Sequence, residues 1–424
     1  MTEGDLPRVV RVRQRFPRPK VRDVEAEIEA RCAGERVASL VKPGMSVAIT
    51  VGSRGIRGID AMVRSLVLSL KKLGAKPFIV PAMGSHGGAT AGGQEELLAG
   101  YGVTEASCGA PVRSSMEVVE LGTSPSGVAV YMDRLASEAD GVVLLGRVKP
   151  HTDFHGEVES GLMKMAAIGL GKHAQALALH AHGVTGIRDY MIEVAEAVLA
   201  SGRILFGVAV VENAHEEAAI VEAIPADEIR TREPELLKRA ADLLPTLPVD
   251  DLDVLFVDRL GKDYSGTGMD TNVIGRIRIP GEREPDSPRI RYIIVGDISE
   301  SSGGNALGVG LADFTTERLV GKIDAVKTRE NVLTSTFVER AKIPLAFASD
   351  REAILAALRC TWGVPADRLR FAHIPNTLEI GELYVSLNLL AELPEDRVSV
   401  EGEPQDLPFD ASGNLKAFGR ERSG

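Results

Sequence analysis

The stretch SVAITVGSRGIRGIDAMVRSLVLSLKKLGAKPFIVP, residues 46–81, decides the fold. It opens on a short apolar run, Ser46–Val51, that ends at Gly52 and suits a buried strand. Ile59–Leu73 then places its apolar residues at helical spacing, and Gly74 stands where a helix is capped. A second short strand follows at Pro77–Pro81. Strand, turn, helix, strand is the pattern of a parallel βαβ unit covered by helices. The alternation continues, with strands predicted at Gly141–Leu145 and Ile204–Val211 and helices at Gln94–Gly100, Asp189–Ala200 and Pro234–Leu244. LPTLPVDD, residues 244–251, holds two prolines and two acids and reads as a linker. Beyond it the pattern resumes, with strands at Asp253–Val257 and Arg291–Val295 and a helix at Arg351–Leu358. The expectation is an α/β fold: two α/β domains with mostly parallel sheets and an active site in the cleft between them. Residues 1–247 are assigned to the first domain, 252–401 to the second, and 402–424 to a polar tail.

A chain of 424 residues is too long for one hydrophobic core, which supports the two-domain division. The net charge of −11 gives no basic field for nucleic acid or an anionic membrane, so an anionic ligand needs a local positive pocket. Cys32, Cys108 and Cys360 form no CxxC pair, and an odd count suits a reducing compartment. They read as core or neutral surface residues. The start, MTEGDLPRVV, lacks the apolar run of a signal peptide, and the apolar stretch Met62–Leu73 is too short to span a bilayer. A soluble cytoplasmic protein without nucleic-acid or membrane partners is expected.

In an open α/β sheet, ligands bind at the carboxyl ends of the strands. Four turns there carry reactive side chains. The first, GSRGIRG at residues 52–58, has glycines that let backbone N–H groups face one anion, and Arg54 has a fork that fits a carboxylate or phosphate. It matches neither GxxxxGK[ST] nor GxGxxG. A tight turn with solvated arginines is the alternative. The second, MGSHGG at residues 83–88, sets His86 among glycines, where an accessible imidazole can move protons; capping of the helix near Gln94 is the alternative. The third, KPHTDFH at residues 149–155, has His151 and His155 four apart, a zinc spacing only on a helix, which Pro150 and Gly156 oppose. Lys164 follows in SGLMKM, either a desolvated nucleophile or a lysine snorkelling to water. His180 and His182 follow in ALALHAH, one of them a candidate metal ligand. VVENAH, residues 210–215, brings Asn213 and His215 to the same edge as supporting groups. His173 and His373 read as structural.

Together these segments resemble the nickel-pincer-dependent lactate racemase family, with its wider set of 2-hydroxy acid racemases and epimerases. The likeness covers most of the chain and is strongest over residues 40–220. Gly84-Ser85-His86 matches the family's strand-end histidine turn, and Pro150-His151 precedes the stretch Ser160-Gly161-Leu162-Met163-Lys164 as in the family. His180 lies sixteen residues past Lys164, the family spacing, which His182 does not meet. The resemblance implies a nickel-pincer nucleotide bound covalently to Lys164, with His180 as the protein ligand to nickel. It implies His86 and His151 as the acid/base pair, with His155 a rival for the second place. Arg54 would stabilise substrate oxygens, and the turn holding Ser53 and Gly55 would receive the cofactor phosphate. The implied partners are a small-molecule 2-hydroxy acid, extending to a sugar acid, and cofactor-maturation enzymes. The implied reaction inverts C2 by proton-coupled hydride transfer, which avoids a carbanion beside a carboxylate. Two other readings remain open from the residues: a metal-dependent hydrolase using His151, His155 and His180, and a non-catalytic anion-binding protein.

Overall fold

A computed structural model describes residues 6–53, 55–416 and Phe418. In chain order its strands are β1 (Val9–Gln14), β2 (Ser46–Val51), β3 (Lys76–Pro81), β4 (Val118–Thr123), β5 (Ala129–Asp133), β6 (Gly141–Arg147), β7 (Ile204–Glu212) and β8 (Ala218–Pro225). They continue as β9 (Asp251–Leu260), β10 (Arg289–Ile298), β11 (Phe314–Thr316), β12 (Leu345–Phe347), β13 (Phe371–Ile374), β14 (Glu382–Ser386) and β15 (Val398–Gln405). The chain forms two compact units: Pro17–Leu244, and the segment ending at Phe16 together with the segment from Pro245 onward.

The Pro17–Leu244 unit is built on a sheet in the order β3-β2-β6-β7-β8. β2, β3, β6 and β7 run parallel, with Ile49 opposite Ile79 on one side and Val143 on the other; β8 returns antiparallel to β7. Short runs such as Val47–Val51 are apolar because helices cover both faces of such a sheet. The helix Ile59–Lys72 buries Met62, Val63, Leu66 and Leu70 in the same core as Val47, Ile49 and Val51. β2 leads to β3 on one side, whereas β6 lies on its other side and leads on to β7. The strand order therefore reverses between β2 and β6, and such a switch point opens a crevice at the strand ends. β4 and β5 make a separate antiparallel hairpin whose first strand is largely exposed.

The other unit carries a sheet in the order β12-β11-β10-β9-β13-β14-β1-β15. Its first five strands are parallel, and β14, β1 and β15 add antiparallel. Two expectations change here. β1 lies between β14 and β15, so the chain up to Phe16 joins the later unit and not the first domain assigned to 1–247. Residues 402–405 belong to β15, and Leu407 and Leu415 pack into a core with Val9, Val254 and Phe371. The start of the expected tail is thus sheet and core. A strand flanked by partners from the far end of the chain leaves no local signal of its neighbours. The change of unit at Leu244–Pro245 falls where the proline-bearing stretch begins. Cys32 and Cys108 are buried and Cys360 is partly buried. Among the described residues, no helix is long and apolar enough to cross a membrane.

A buried ion pair ties the first unit together. Lys172 is 0% exposed, with its Nζ 3.1 Å from Asp133 Oδ2. The ammonium also donates to Gln94 Oε1 at 3.2 Å and to the Pro81 carbonyl. Desolvation pulls the Lys172 pKa down, and the Asp133 charge opposes it. Breaking such a pair on one side strands a charge in the interior. Lys172→Met is expected to cost about 3–5 kcal/mol of stability. Adding Asp133→Asn should recover most of that, since Asn needs no counter-charge and can still accept the Ala136 N–H that Asp133 caps. Urea unfolding of the two variants checks this; equal losses in both would overturn it.

Candidate active site

The segment after β6 is a closed loop. Lys149 and Ser160 exchange backbone hydrogen bonds at 3.0 and 3.2 Å, so residues 150–159 leave and return at one point. Glu159 organises the interior and is only 5% exposed. Its carboxylate accepts the backbone N–H of His151 at 2.5 Å and of Gly156 at 3.1 Å, and lies 3.2 Å from His155 Nδ1. Phe154 stacks on the His151 ring at 4.6 Å. The loop thus fixes His151 from its backbone, its ring face and its ring nitrogen.

The Asp153 N–H donates to His151 Nδ1 at 3.0 Å, so Nδ1 is an acceptor, while Nε2 faces Lys164, which donates to it as an ammonium and accepts from it only as a neutral nitrogen. Nε2 lies 2.5 Å from Lys164 Nζ. Lys164 ends a helical turn, Leu162–Lys164, that passes directly into a π-helical turn, Met165–Gly169. π-turns recur at functional sites because they widen one turn and redirect the side chains that follow. The chain then runs through Lys172 to the helix Lys172–His180. His180 ends that helix half-buried. Its pKa is pushed down chiefly by burial and next by the charge of Lys164, with Asp153 acting in the opposite sense. His151, Lys164 and His180 are therefore gathered at the end of β6.

The His86 turn abuts the same segment. Gly84 N–H reaches the Gly169 carbonyl at 3.5 Å. Gly84 has φ 57°, and a Cβ there would lie 3.0 Å from Ile168 Cγ2, so the position calls for glycine on both counts. His86 is exposed, and its Nδ1 lies 2.8 Å from the Met83 carbonyl. A carbonyl only accepts, so Nδ1 carries the proton and Nε2 is the basic nitrogen of the neutral ring.

The first turn is held from two sides. Tyr101 Oη donates to the Ser53 carbonyl at 2.5 Å, and a Cβ on Gly55 would touch the Tyr101 ring at 3.4 Å. Glu212, at the end of β7, accepts the Arg57 N–H at 3.2 Å and pairs with Arg147. Arg54 lies outside the described residues.

Other sequence candidates have other work. His182 is exposed and meets Tyr190 edge-on at 5.2 Å. Asn213 builds the β7–β8 turn: its Oδ1 accepts the N–H of His215 and Glu217, and its Nδ2 donates to Pro19 O. His373 is buried, with Nε2 2.6 Å from Asp258 Oδ1, in keeping with a structural role. In the later unit, Arg276 is engaged by Asp313 and by the carbonyls of Leu311 and Ile290. Lys262 donates to Gly266 O at 2.7 Å within its own loop. Among the described residues, no group of three or more His, Cys, Asp or Glu is placed to hold a metal ion, and His155 of the hydrolase reading is engaged with Glu159.

Sequence reading missed the residues that hold the site still. The alternative role for His86, capping the helix near Gln94, falls to Thr90, and Gln94 donates to the carbonyls of Gly84 and His86 at 2.9 and 3.1 Å. Lys172 in turn holds Gln94 Oε1. Glu159, Glu212 and Glu233 went unmarked, because a glutamate in a loop or on a helix reads as solvated unless its burial is known.

Residues 5–188 match the lactate racemase N-terminal domain family. Among solved structures, the chain matches that of the lactate racemase apoprotein from Thermoanaerobacterium thermosaccharolyticum, with 14% identity, a TM-score of 0.47 and coverage of 70% of each chain. No curated protein matches the chain. The matched region takes in β2, β3 and β6, the turns that follow them, Lys164 and His180. Over residues 5–188, less than half of its length, the chain is similar to the lactate racemase N-terminal domain family.

Proposed function

We propose that this protein is an isomerase, a racemase or epimerase that inverts C2 of a 2-hydroxy acid, using a nickel-pincer nucleotide attached to Lys164. The observation that carries this reading is the gathering of His151, Lys164 and His180 at the end of β6, beside the His86 turn. The residues fit the group. His180 is held toward its neutral form, and a neutral imidazole is the form that ligates a metal. Lys164 presents an amine at the end of a backbone-anchored turn. The glycine turn with Ser53 and Gly55 would take the phosphate, and Arg54 the substrate oxygens. When bound, the cofactor supplies a hydride acceptor, so the C2 hydrogen leaves with its electron pair and no carbanion forms beside the carboxylate.

The protons are handled by this chain's own residues. His86 Nε2 has the lone pair needed to take the substrate hydroxyl proton, and His151, its Nδ1 held as an acceptor, carries a proton on Nε2 to give once Lys164 is bonded to the cofactor and no longer an ammonium. An inversion requires that one face removes a proton while the other returns one. His151 is preferred over His155 because its Nε2 faces Lys164. The substrate class extends to sugar acids.

Co-expression with cofactor-maturation enzymes should add a mass on the order of several hundred daltons to Lys164, as expected for a mononucleotide adduct. His86→Ala and His151→Ala should keep the adduct and lose turnover, whereas Lys164→Ala should lose both. Full activity in Lys164→Ala would sink the reading. In deuterated water, a screen of short 2-hydroxy acids and sugar acids scored by inversion at C2 should show the original C2 hydrogen retained in the product. Deuterium wash-in at C2 would point instead to a carbanion route.

A further inference from the structure

We propose that Glu233 is a positioning residue for Lys164: from a neighbouring helix it holds the two backbone amides that begin the lysine's helical turn, and so sets where the amine is presented. This rests on the reading of Lys164 as the cofactor-bearing residue.

Glu233 projects from the helix Ala226–Asp242 and is 0% exposed. One carboxylate oxygen, Oε2, accepts the N–H of Leu162 at 2.5 Å and of Met163 at 3.0 Å. These are the first two residues of the turn that ends at Lys164. Helix-start amides have no partner within their own helix, and no side chain at the N-cap position, Gly161, supplies one here. The acceptor comes from a segment about seventy residues later in the chain.

The other oxygen, Oε1, is buried without a hydrogen-bond partner among the described residues. Burying a carboxyl with one oxygen unsatisfied is costly, so stability alone does not account for an acid here. Gly161 makes room for it, since a Cβ at that position would lie 2.4 Å from Glu233 Oε1. Gly161 has φ 171°, extended backbone that any residue adopts, so the glycine answers to the carboxylate and not to the backbone. Burial raises the Glu233 carboxyl to about 7, against the pull of the Met163 and Leu162 amides. Both protonation states accept through Oε2, so the anchor persists across neutral pH.

The anchor fixes the turn at its start, and the His151 contact fixes the amine at its end. Rotation of the turn would carry Nζ away from both His151 and the ring of His180.

The test uses the full-length chain without cofactor, with Glu233→Leu, Glu233→Gln and Gly161→Ala. In 13C-histidine-labelled protein, Glu233→Leu should move the His151 ring signal toward its position in Lys164→Met, while the His373 signal stays. Hydrogen exchange of the amides at Leu162 and Met163 should quicken. In the maturation mixture, the rate of adduct formation on Lys164 should fall by about tenfold or more, the scale of effect of misplacing a reacting group. Glu233→Gln keeps an acceptor oxygen and should restore all three readouts. Gly161→Ala should reproduce Glu233→Leu by displacing the carboxylate, and it serves if the leucine variant does not fold. A wild-type His151 signal and wild-type exchange in Glu233→Leu or Gly161→Ala would overturn the proposal. Absence of an adduct in the wild-type protein would instead count against the pincer reading alone, leaving the spectra and exchange to decide on Glu233.

Discussion

The parallel pairing of β2 with β6 is the constraint on which the rest depends. It brings the end of a strand near residue 51 beside the end of one near residue 147, with their outgoing connections leading to opposite sides. Everything reactive in the Pro17–Leu244 unit then lies on one edge: the turn after β2, the His86 turn after β3, and the loop and lysine segment after β6. The ladder is held by apolar burial on both faces, with Val47, Ile49 and Val143 fully enclosed. With both faces enclosed, the register is set by close packing, Val47, Ile49 and Val143 sharing a core with Met62, Val63 and Leu66.

Around that edge the protein buries charge. Glu159, Lys172 and Glu233 are nearly or wholly enclosed, and all three act on backbone or side chains within a short reach of the lysine segment. Interior charges are a poor way to gain stability, since desolvation consumes much of the Coulombic gain. What they provide here is direction. Glu159 gathers three groups of one loop, Lys172 holds the glutamine that holds the His86 turn, and Glu233 grips a helix start.

The sequence made the parallel ladder legible because each strand there is a short, unbroken apolar run. β2 was found to the residue, and the helix Ile59–Lys72 to within one. β4, largely exposed and outside the main sheet, left no such run, and β1 reads as a strand only beside partners from residues 382–405. The site divides the same way. His86, His151, Lys164 and His180 were visible as reactive residues in turns or at a fixed spacing, and the structure brings the last three together. Glu159, Gln94, Lys172 and Glu233 were not, because their roles come from burial and from contacts as far as ninety-one residues away. Asn213 shows the converse: its place at a strand end suggested the site, but its amide is fully engaged in the hairpin turn.

Lys172 has φ 55°, a left-handed conformation unusual for a residue with a side chain. An uninterrupted α-helix from Lys164 to His180 would separate them by about 24 Å, well beyond the reach of a screened charge. Between them, though, the chain passes through the π-helical turn Met165–Gly169 and then the left-handed Lys172. The sixteen-residue interval therefore works as a contour length around a bend and not as a helical repeat. Inserting or deleting even one residue between the two would change where the path closes. In this segment, unlike an ordinary surface loop, length itself is under constraint.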